Sequence, residues 1–493
     1  MTLQFKRLFT YIENLRIGWL GIFLIAGIII LIRIISEPVF DQATIFSYWT
    51  LIYLGSWFFS IFIVFFLLTS VISKIPTIKC ARLFLVGLPV ILIPIFGLIF
   101  GDTRSFDFLH GTWSEIFFHL ITLAAFYPPL GIFFTIELIL FLTALFIFFY
   151  VKTKSIARAI FSVIGIYSIL TFFAIQPKII NDTWVNLFFL TNLKITQLYA
   201  IFNFFLLLFF GLLFFLREKK VKAESIVFHL RPERSFSLIT FAVFIALGAL
   251  NSPHFYLINF LSGFSLFIFF LFYAAVSNDA ADLAIDKISN PNRPYAKGVF
   301  NAKEMKILQG VILGIIIILV LIIDSMPILI LTLVNIGLSI LYSVFRFRKF
   351  LFSHLIAAAG ESTVVLYGYF AQMPTSSSAL VEAWILFFAA FVFFAFFLPV
   401  KDLKDFAGDK KEKVRNFLTV FGWQKGKIIT AISVFFAFIF FAFIMGGPLF
   451  FALSFIFAGL GAYFVVYYER IGEKASYLNF LIFIVLFLLF SFA

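Results

Sequence analysis

Along the chain, runs of about 20 apolar residues alternate with short polar or basic stretches, and each run is long enough to cross roughly 30 Å of hydrocarbon as a helix. This pattern predicts N-terminal spans near 17–36, 46–73, 83–100, 130–151, 157–176 and 197–216. Beyond a polar interval it predicts nine more, near 236–252, 254–277, 305–323, 327–345, 351–371, 380–400, 427–445, 448–467 and 475–492. The segment 114–127 is short and runs into Tyr127-Pro128-Pro129. Paired prolines end a helix, so this segment is expected to be re-entrant or interfacial. The first run, Ile17 to Ile32, follows Lys6, Arg7 and Arg16 and ends at Arg33 with no small-residue cleavage site, which predicts a retained span and not a signal peptide.

The polar interval, "REKKVKAESIVFHLRPERS" from Arg217 to Ser235, is the one convincing linker. The expected organisation is an N-terminal transmembrane domain over 1–216, a basic cytoplasmic linker over 217–235, and a second domain over 236–493. The fold class is thus an all-α polytopic membrane protein, a nine-helix bundle preceded by a block of about six helices. Composition agrees: 63% of residues are hydrophobic and 12% charged, and the single cysteine, Cys80, leaves no internal disulfide or cysteine metal site.

A net charge of +13 could suggest nucleic acid, so the placement of Lys and Arg decides. On one side of the nine spans, the linker and the loops at 278–306, 346–349, 401–427 and 469–474 carry 24 basic residues. The opposite loops, "NSPH", "DSMP", "QMPTSSS" and "GGP", carry none. Such asymmetry predicts a cytoplasmic basic side in a cell membrane and removes nucleic acid as the reason for the charge.

Two acid-rich stretches fall on that basic side, at the ends of the second and sixth of the nine spans. In "NDAADLAIDKISNPNRP", Asn278, Asp282 and Asp286 are spaced i, i+4, i+8, so a continuing helix would place successive members about 40° apart on one face. In "KDLKDFAGDKK", Asp402, Asp405 and Asp409 lie within about 60° by the same geometry. Carboxylates at this density are either solvated loop charges or ligands for a hard cation such as Mg²⁺, which is held by a few carboxylates plus substrate phosphate oxygens. A cation-transport site is disfavoured by position, because transport carboxylates sit near the midplane and these sit at the rim.

These residues resemble the UbiA-type intramembrane prenyltransferase superfamily, named after the ubiquinone-pathway 4-hydroxybenzoate polyprenyltransferase. Asn278 to Asp286 fills its first motif, N-D-x-x-D-x-x-x-D, and Asn290-Pro291-Asn292-Arg293-Pro294 follows as N-x-x-R-P. Asp402, Asp405 and Asp409 fill the second motif, D-x-x-D-x-x-x-D, and Tyr342-Ser343 precedes the basic Arg346, Arg348 and Lys349. The resemblance covers about 235–493. It implies metal ligation by Asn278, Asp282, Asp286, Asp402, Asp405 and Asp409, with Mg²⁺ bridging a prenyl diphosphate. It also implies Arg293, Lys349, Lys401 and Lys404 as cations for the diphosphate and Tyr342 as a hydrogen-bond donor. Asp279, about 100° round the helix from Asn278, is expected to orient a ligand instead.

His354 and Glu361 in the fifth span are candidates for the acceptor side, because an intramembrane Glu is costly unless it faces a polar cavity or a partner. Where relatives show Gly and then Thr-Leu-Pro, "KVRNFLTVFG" has Lys413, Asn416 and Leu418, which leaves the acceptor open. The implied activity moves a prenyl chain to an aromatic acid, quinone precursor or glycerophosphate lipid. The alternatives are phosphoribosyl transfer to polyprenyl phosphate and a non-catalytic lipid-binding scaffold. In the N-terminal domain His110, His119 and Glu137 have no ligand-like spacing, and packing, topology or partner docking is the expectation there.

Overall fold

The computed structural model of the chain describes residues 2–40, 47–100, 112–121, 131–188, 193–229, 256–343, 352–371, 377–468 and 472–491. Every regular element among them is a helix, and twelve helices are long and apolar enough to cross a membrane. The protein is a multi-pass membrane protein. Its chain divides into two compact units, residues 1–187 with 193–220, and 188–192 with 221–493.

The first unit contains α1 (Thr2–Glu13), α2 (Trp19–Phe40), α3 (Tyr48–Ser73), α4 (Thr77–Gly87) and α5 (Ile93–Ile99). It continues with α6 (Trp113–Ile121), α7 (Gly131–Thr153), α8 (Ile156–Phe188) and α9 (Ile195–Glu218). A 3₁₀ turn at Leu88–Leu92 joins α4 to α5, so the expected span at 83–100 is two helices. Phe66, Phe148 and Phe149 are among the aromatic side chains that fill the core. Where the sequence predicts a span ending at 176, α8 runs through Pro177 to Phe188. Proline lacks the amide that would bond the Phe173 carbonyl one turn back, and in hydrocarbon such an orphan is costly. Trp57 of α3 supplies the missing donor, its Nε1–H lying 3.0 Å from Phe173 O. Trp57→Phe should therefore lower stability by about 1–3 kcal/mol, an unsatisfied buried acceptor replacing a hydrogen bond. Thermal unfolding in detergent measures this, and an unshifted midpoint would refute it. Of the polar N-terminal residues, His110 lies outside the described residues.

The second unit begins, among the described residues, with α10 (Lys220–His229), nearly all of which belongs to it. The span expected at 236–252 lies outside them. Then come α11 (Leu257–Ala281), α12 (Leu283–Ser289), α13 (Ala302–Ile323), α14 (Met326–Ser343), α15 (Phe352–Ser362), α16 (Val364–Ala371) and α17 (Ser377–Phe397). After α18 (Asp402–Lys411) the chain forms α19 (Phe417–Phe421), α20 (Trp423–Met445), α21 (Pro448–Tyr467) and α22 (Gly472–Ser491). Helix α11 packs on α13, α14 and α16, while α17, α20, α21 and α22 pack in succession. Where α11 packs on α16, a Cβ on Gly263 would lie 2.7 Å from Ala371 Cβ, so glycine is needed there.

The single span expected at 351–371 is two helices, broken at Thr363. Polar side chains satisfy the break: Thr363 Oγ1 donates to Gly360 O at 2.7 Å, and Asn335 Nδ2 of α14 donates to Thr363 Oγ1 at 2.8 Å. Interrupted helices at membrane depth are stable where protein takes up their backbone groups. At the end of α17 a 3₁₀ turn, Leu398–Lys401, leads directly into α18. The second acid stretch is accordingly helical from its first residue.

Candidate active site

The first acid stretch does not continue as one regular helix. At Asp282 the backbone leaves helical geometry, with φ −96° and ψ 13°, and α12 starts from there. The amide ladder persists, Asp282 N bonding Asn278 O at 2.9 Å and Asp286 N bonding Asp282 O at 2.8 Å. The face predicted to carry three residues is nonetheless split. Asn278 and Asp282 line a cavity of about 160 Å³, while Asp286 is not part of its wall.

Asp286 is only 2% exposed. Both its oxygens accept from Arg293 Nη1 at 2.6 Å, and Asp279 Oδ1 accepts from the same nitrogen at 3.2 Å. Burial pushes the Asp286 carboxyl above its usual range, and the Arg293 guanidinium opposes that rise. Burial alone would lower the pKa of Arg293, but the carboxylates of Asp279, Asp286 and Asp405 more than reverse this and raise it. An arginine fixed by two carboxylates keeps its direction when a ligand arrives, which suits it to a polyphosphate wall. The price is that Asp286 is already engaged, so it serves Arg293 before any metal.

Helix α18 presents Asp402, Asp405 and Asp409 to the same cavity. Each has a nitrogen partner from a different element. His354 Nε2, from α15, lies 3.1 Å from Asp402 Oδ2. Asn290 Nδ2, from the turn after α12, donates to Asp405 Oδ1 at 2.6 Å and reaches Asp286 Oδ1 at 3.1 Å. Asn416 Nδ2 donates to Asp409 Oδ2 at 2.8 Å, while its Oδ1 caps α19 by accepting from Thr419 N at 2.9 Å. Backbone contact joins the two acidic helices: Gly408 N donates to Ser289 Oγ at 2.7 Å, and Ser289 Oγ lies 3.1 Å from Asp405 O.

The expected cations are differently placed. Arg293, Lys401 and Lys404 line the cavity, with Lys404 Nζ 2.5 Å from Glu473 and Lys401 Nζ 5.7 Å from the Tyr342 ring centre. Lys349 lies outside the described residues. Tyr342 and Glu361 line the cavity, but His354 does not; its ring turns to Asp402. The apolar part of the wall includes Phe270, Leu271, Ala274, Ala275, Leu338 and Ile356, with Ser339, Ser343 and Ser353 among the polar contributors.

Sequence reasoning missed Ser289, Asn290, Asn416, Arg415 and Glu473. Asn290 was visible inside the N-x-x-R-P run. Gly408, the one residue of α18 that could let another backbone close in, was also there to be noticed. Lys413, in the loop after α18, takes φ 56°, a conformation that favours glycine.

Among the described residues no three His, Cys, Asp or Glu side chains converge to hold a metal ion unaided. The donor set still fits Mg²⁺. Asn278, Asp282, Asp405 and Asp409 offer hard oxygens on two walls of one cavity, and Mg²⁺ characteristically takes one or two carboxylates and completes its shell with substrate phosphate.

The sequence pattern of the UbiA prenyltransferase family matches residues 235–490, just over half of the chain. The protein belongs to the UbiA prenyltransferase family. A stretch of 166 residues is 27% identical to digeranylgeranylglyceryl phosphate synthase of Saccharolobus solfataricus, covering 32% of this chain and 56% of that relative. The chain therefore spans about half the length of the curated relative it matches. Similar solved structures include a digeranylgeranylglyceryl phosphate synthase at 23% identity and TM-score 0.36, covering 53% of this chain and 99% of that one. A UbiA homologue from Archaeoglobus fulgidus bound to GPP and Mg²⁺ is 18% identical with TM-score 0.40, over 53% of this chain and 99% of its own. The apo UbiA homologue of Aeropyrum pernix K1 is also 18% identical, with TM-score 0.39, over 53% of this chain and 98% of its own.

Proposed function

We propose that this member of the UbiA family transfers a prenyl chain from its diphosphate to a hydroxyl of a glycerophosphate lipid. The observation that carries the reading is that two acid stretches more than a hundred residues apart face one cavity, with Arg293, Lys401 and Lys404 in its wall. Mg²⁺, when bound, would neutralise charge on the departing diphosphate. Asn278, Asp282, Asp405 and Asp409 are the residues suited to hold it, with Asp402 beside them. Arg293, steadied by Asp279 and Asp286, and the two lysines offset the remaining charge, and Lys349 belongs with them by motif. Tyr342 donates a hydrogen bond to the same group.

The apolar wall receives the tail and excludes water from the allylic carbon. As the C–O bond to diphosphate breaks, the acceptor oxygen forms the new C–O bond and gives its proton to Glu361. A hydroxyl-bearing acceptor is favoured by Ser339, Ser343 and Ser353 near Glu361, and by the resemblance to a synthase of a glyceryl phosphate lipid. An aromatic acceptor, which the motifs equally allow, finds only Phe270 and Tyr342 as rings in the described wall.

The division of compact units at 220–221 and the start of the family match at 235 support a catalytic domain over 236–493, a linker over 217–235 and a separate membrane domain over 1–216. The basic loops support an active site facing the cytoplasm at the cell membrane. The test is to supply purified protein with labelled geranylgeranyl diphosphate, Mg²⁺ and either glycerophosphate lipids or quinone precursors, and to identify the product. A prenylated glycerophosphate lipid is expected. Label found only on aromatic products would overturn the acceptor, and no transfer to either would favour a binding role. Glu361→Gln should slow transfer by roughly 10²-fold or more, the usual contribution of a positioned base. Wild-type turnover in that variant would remove Glu361 from the chemistry.

A further inference from the structure

Sequence placed His354 with Glu361 on the acceptor side, and the geometry points elsewhere. The ring is 6% exposed and lies parallel to Phe417, with centres 6.5 Å apart and planes within 7°. Its Nδ1 is buried without a hydrogen-bond partner among the described residues. The one polar contact of the ring is Nε2 to Asp402 Oδ2 at 3.1 Å, and Asp402 faces the cavity while the ring does not. We propose that His354 is a positioning residue, aiming Asp402 at the metal-bridged diphosphate. This rests on the reading of the cavity as a prenyl diphosphate site.

The physical case is one of orientation. Asp402 opens α18 immediately after the 3₁₀ turn at Leu398–Lys401, so its backbone is set, but its carboxylate can still rotate. A donor bonded to one oxygen stops that rotation and leaves the second oxygen directed at the cavity. Because the ring is buried and lies parallel to Phe417, its direction is itself constrained. Groups that orient a ligand in this way typically alter metal affinity by roughly 10–100-fold when removed. Glu361 lies seven residues further along α15, two turns away on the same face. Removing the imidazole leaves that helix and the acceptor wall in place, so the loss should fall on metal and diphosphate and spare the acceptor KM.

The experiment titrates Mn²⁺, followed by its paramagnetic resonance signal, into full-length protein in detergent with geranylgeranyl diphosphate and no acceptor. His354→Leu should weaken Mn²⁺ binding by roughly 10-fold or more. His354→Gln, whose amide nitrogen reaches the position of Nε2, should recover most of the affinity, and His354→Asn, which does not reach, should not. The unfolding midpoint without metal separates a packing defect from lost orientation. Wild-type affinity in His354→Leu, with Asp402→Ala still weakened, would overturn the positioning role alone. If Asp402→Ala and Asp282→Ala also bind Mn²⁺ normally, the metal–diphosphate reading fails and takes the role with it. Should His354→Leu not fold, equal affinities for the Gln and Asn variants would decide against the proposal.

Discussion

Asp282→Ala and Asp409→Ala should each reduce prenyl transfer by about 10³-fold or more at saturating Mg²⁺, with unfolding midpoints close to that of the parent protein. Both carboxylates line the cavity, one from the junction of α11 and α12 and the other from α18. The charge they help to balance grows as the allylic C–O bond breaks, so their effect is concentrated in the transition state and falls on kcat. Stability should change less than on loss of Asp286, whose removal breaks the buried contact with Arg293. Asp286→Ala serves as the contrast: it should lose activity and stability together, because it removes the nearer of the two carboxylates that hold a buried guanidinium. Near-normal turnover in both the Asp282 and Asp409 variants would make these acids solvated rim charges and end the functional assignment.

Replacing Gly408 should be nearly as damaging, although it bears no functional group. A Cβ at this position would lie 2.7 Å from Ser289 Oγ and 2.8 Å from both the Cγ2 and the carbonyl oxygen of Ile285. One of those atoms is backbone, so α12 and α18 must move apart. That separation also lengthens the Gly408 N to Ser289 Oγ bond and the Asn290 bridge to Asp405. Displacing reacting groups by about 1 Å can cost roughly 10²-fold in rate. Gly408→Ala is expected to lose about that much activity, and Gly408→Val to lose essentially all of it. Product formation by the purified variants, alongside Mn²⁺ binding, measures both effects. Full activity in Gly408→Ala would mean that the close contact of the two acidic helices is not needed for catalysis.

Much of this protein was legible without its structure because the relevant forces are local. Hydrocarbon requires about 20 consecutive apolar residues per helix, so most of the long helices could be located by composition. The acid motifs could likewise be recognised, since their spacing is carried within single short stretches. Breaks in helices were less legible. The continuation of α8 through Pro177 depends on Trp57, 116 residues before the Phe173 carbonyl it bonds, and the interruption at Thr363 depends on Asn335 of another helix.

The sequence by itself determined which residue types gather at the ends of the long helices and on which helices. Only the tertiary structure decided what each one faces. Asp286 met the matching spacing but turns to Arg293, because the chain leaves helical geometry at Asp282. His354 shares a helix face with Glu361 but is captured by Asp402. Gly408, outside every expected ligand set, brings the acid stretches together because it has no side chain to keep α12 away. Periodicity describes one helix at a time, whereas a carboxylate's role is set by the donor that reaches it from elsewhere in the chain.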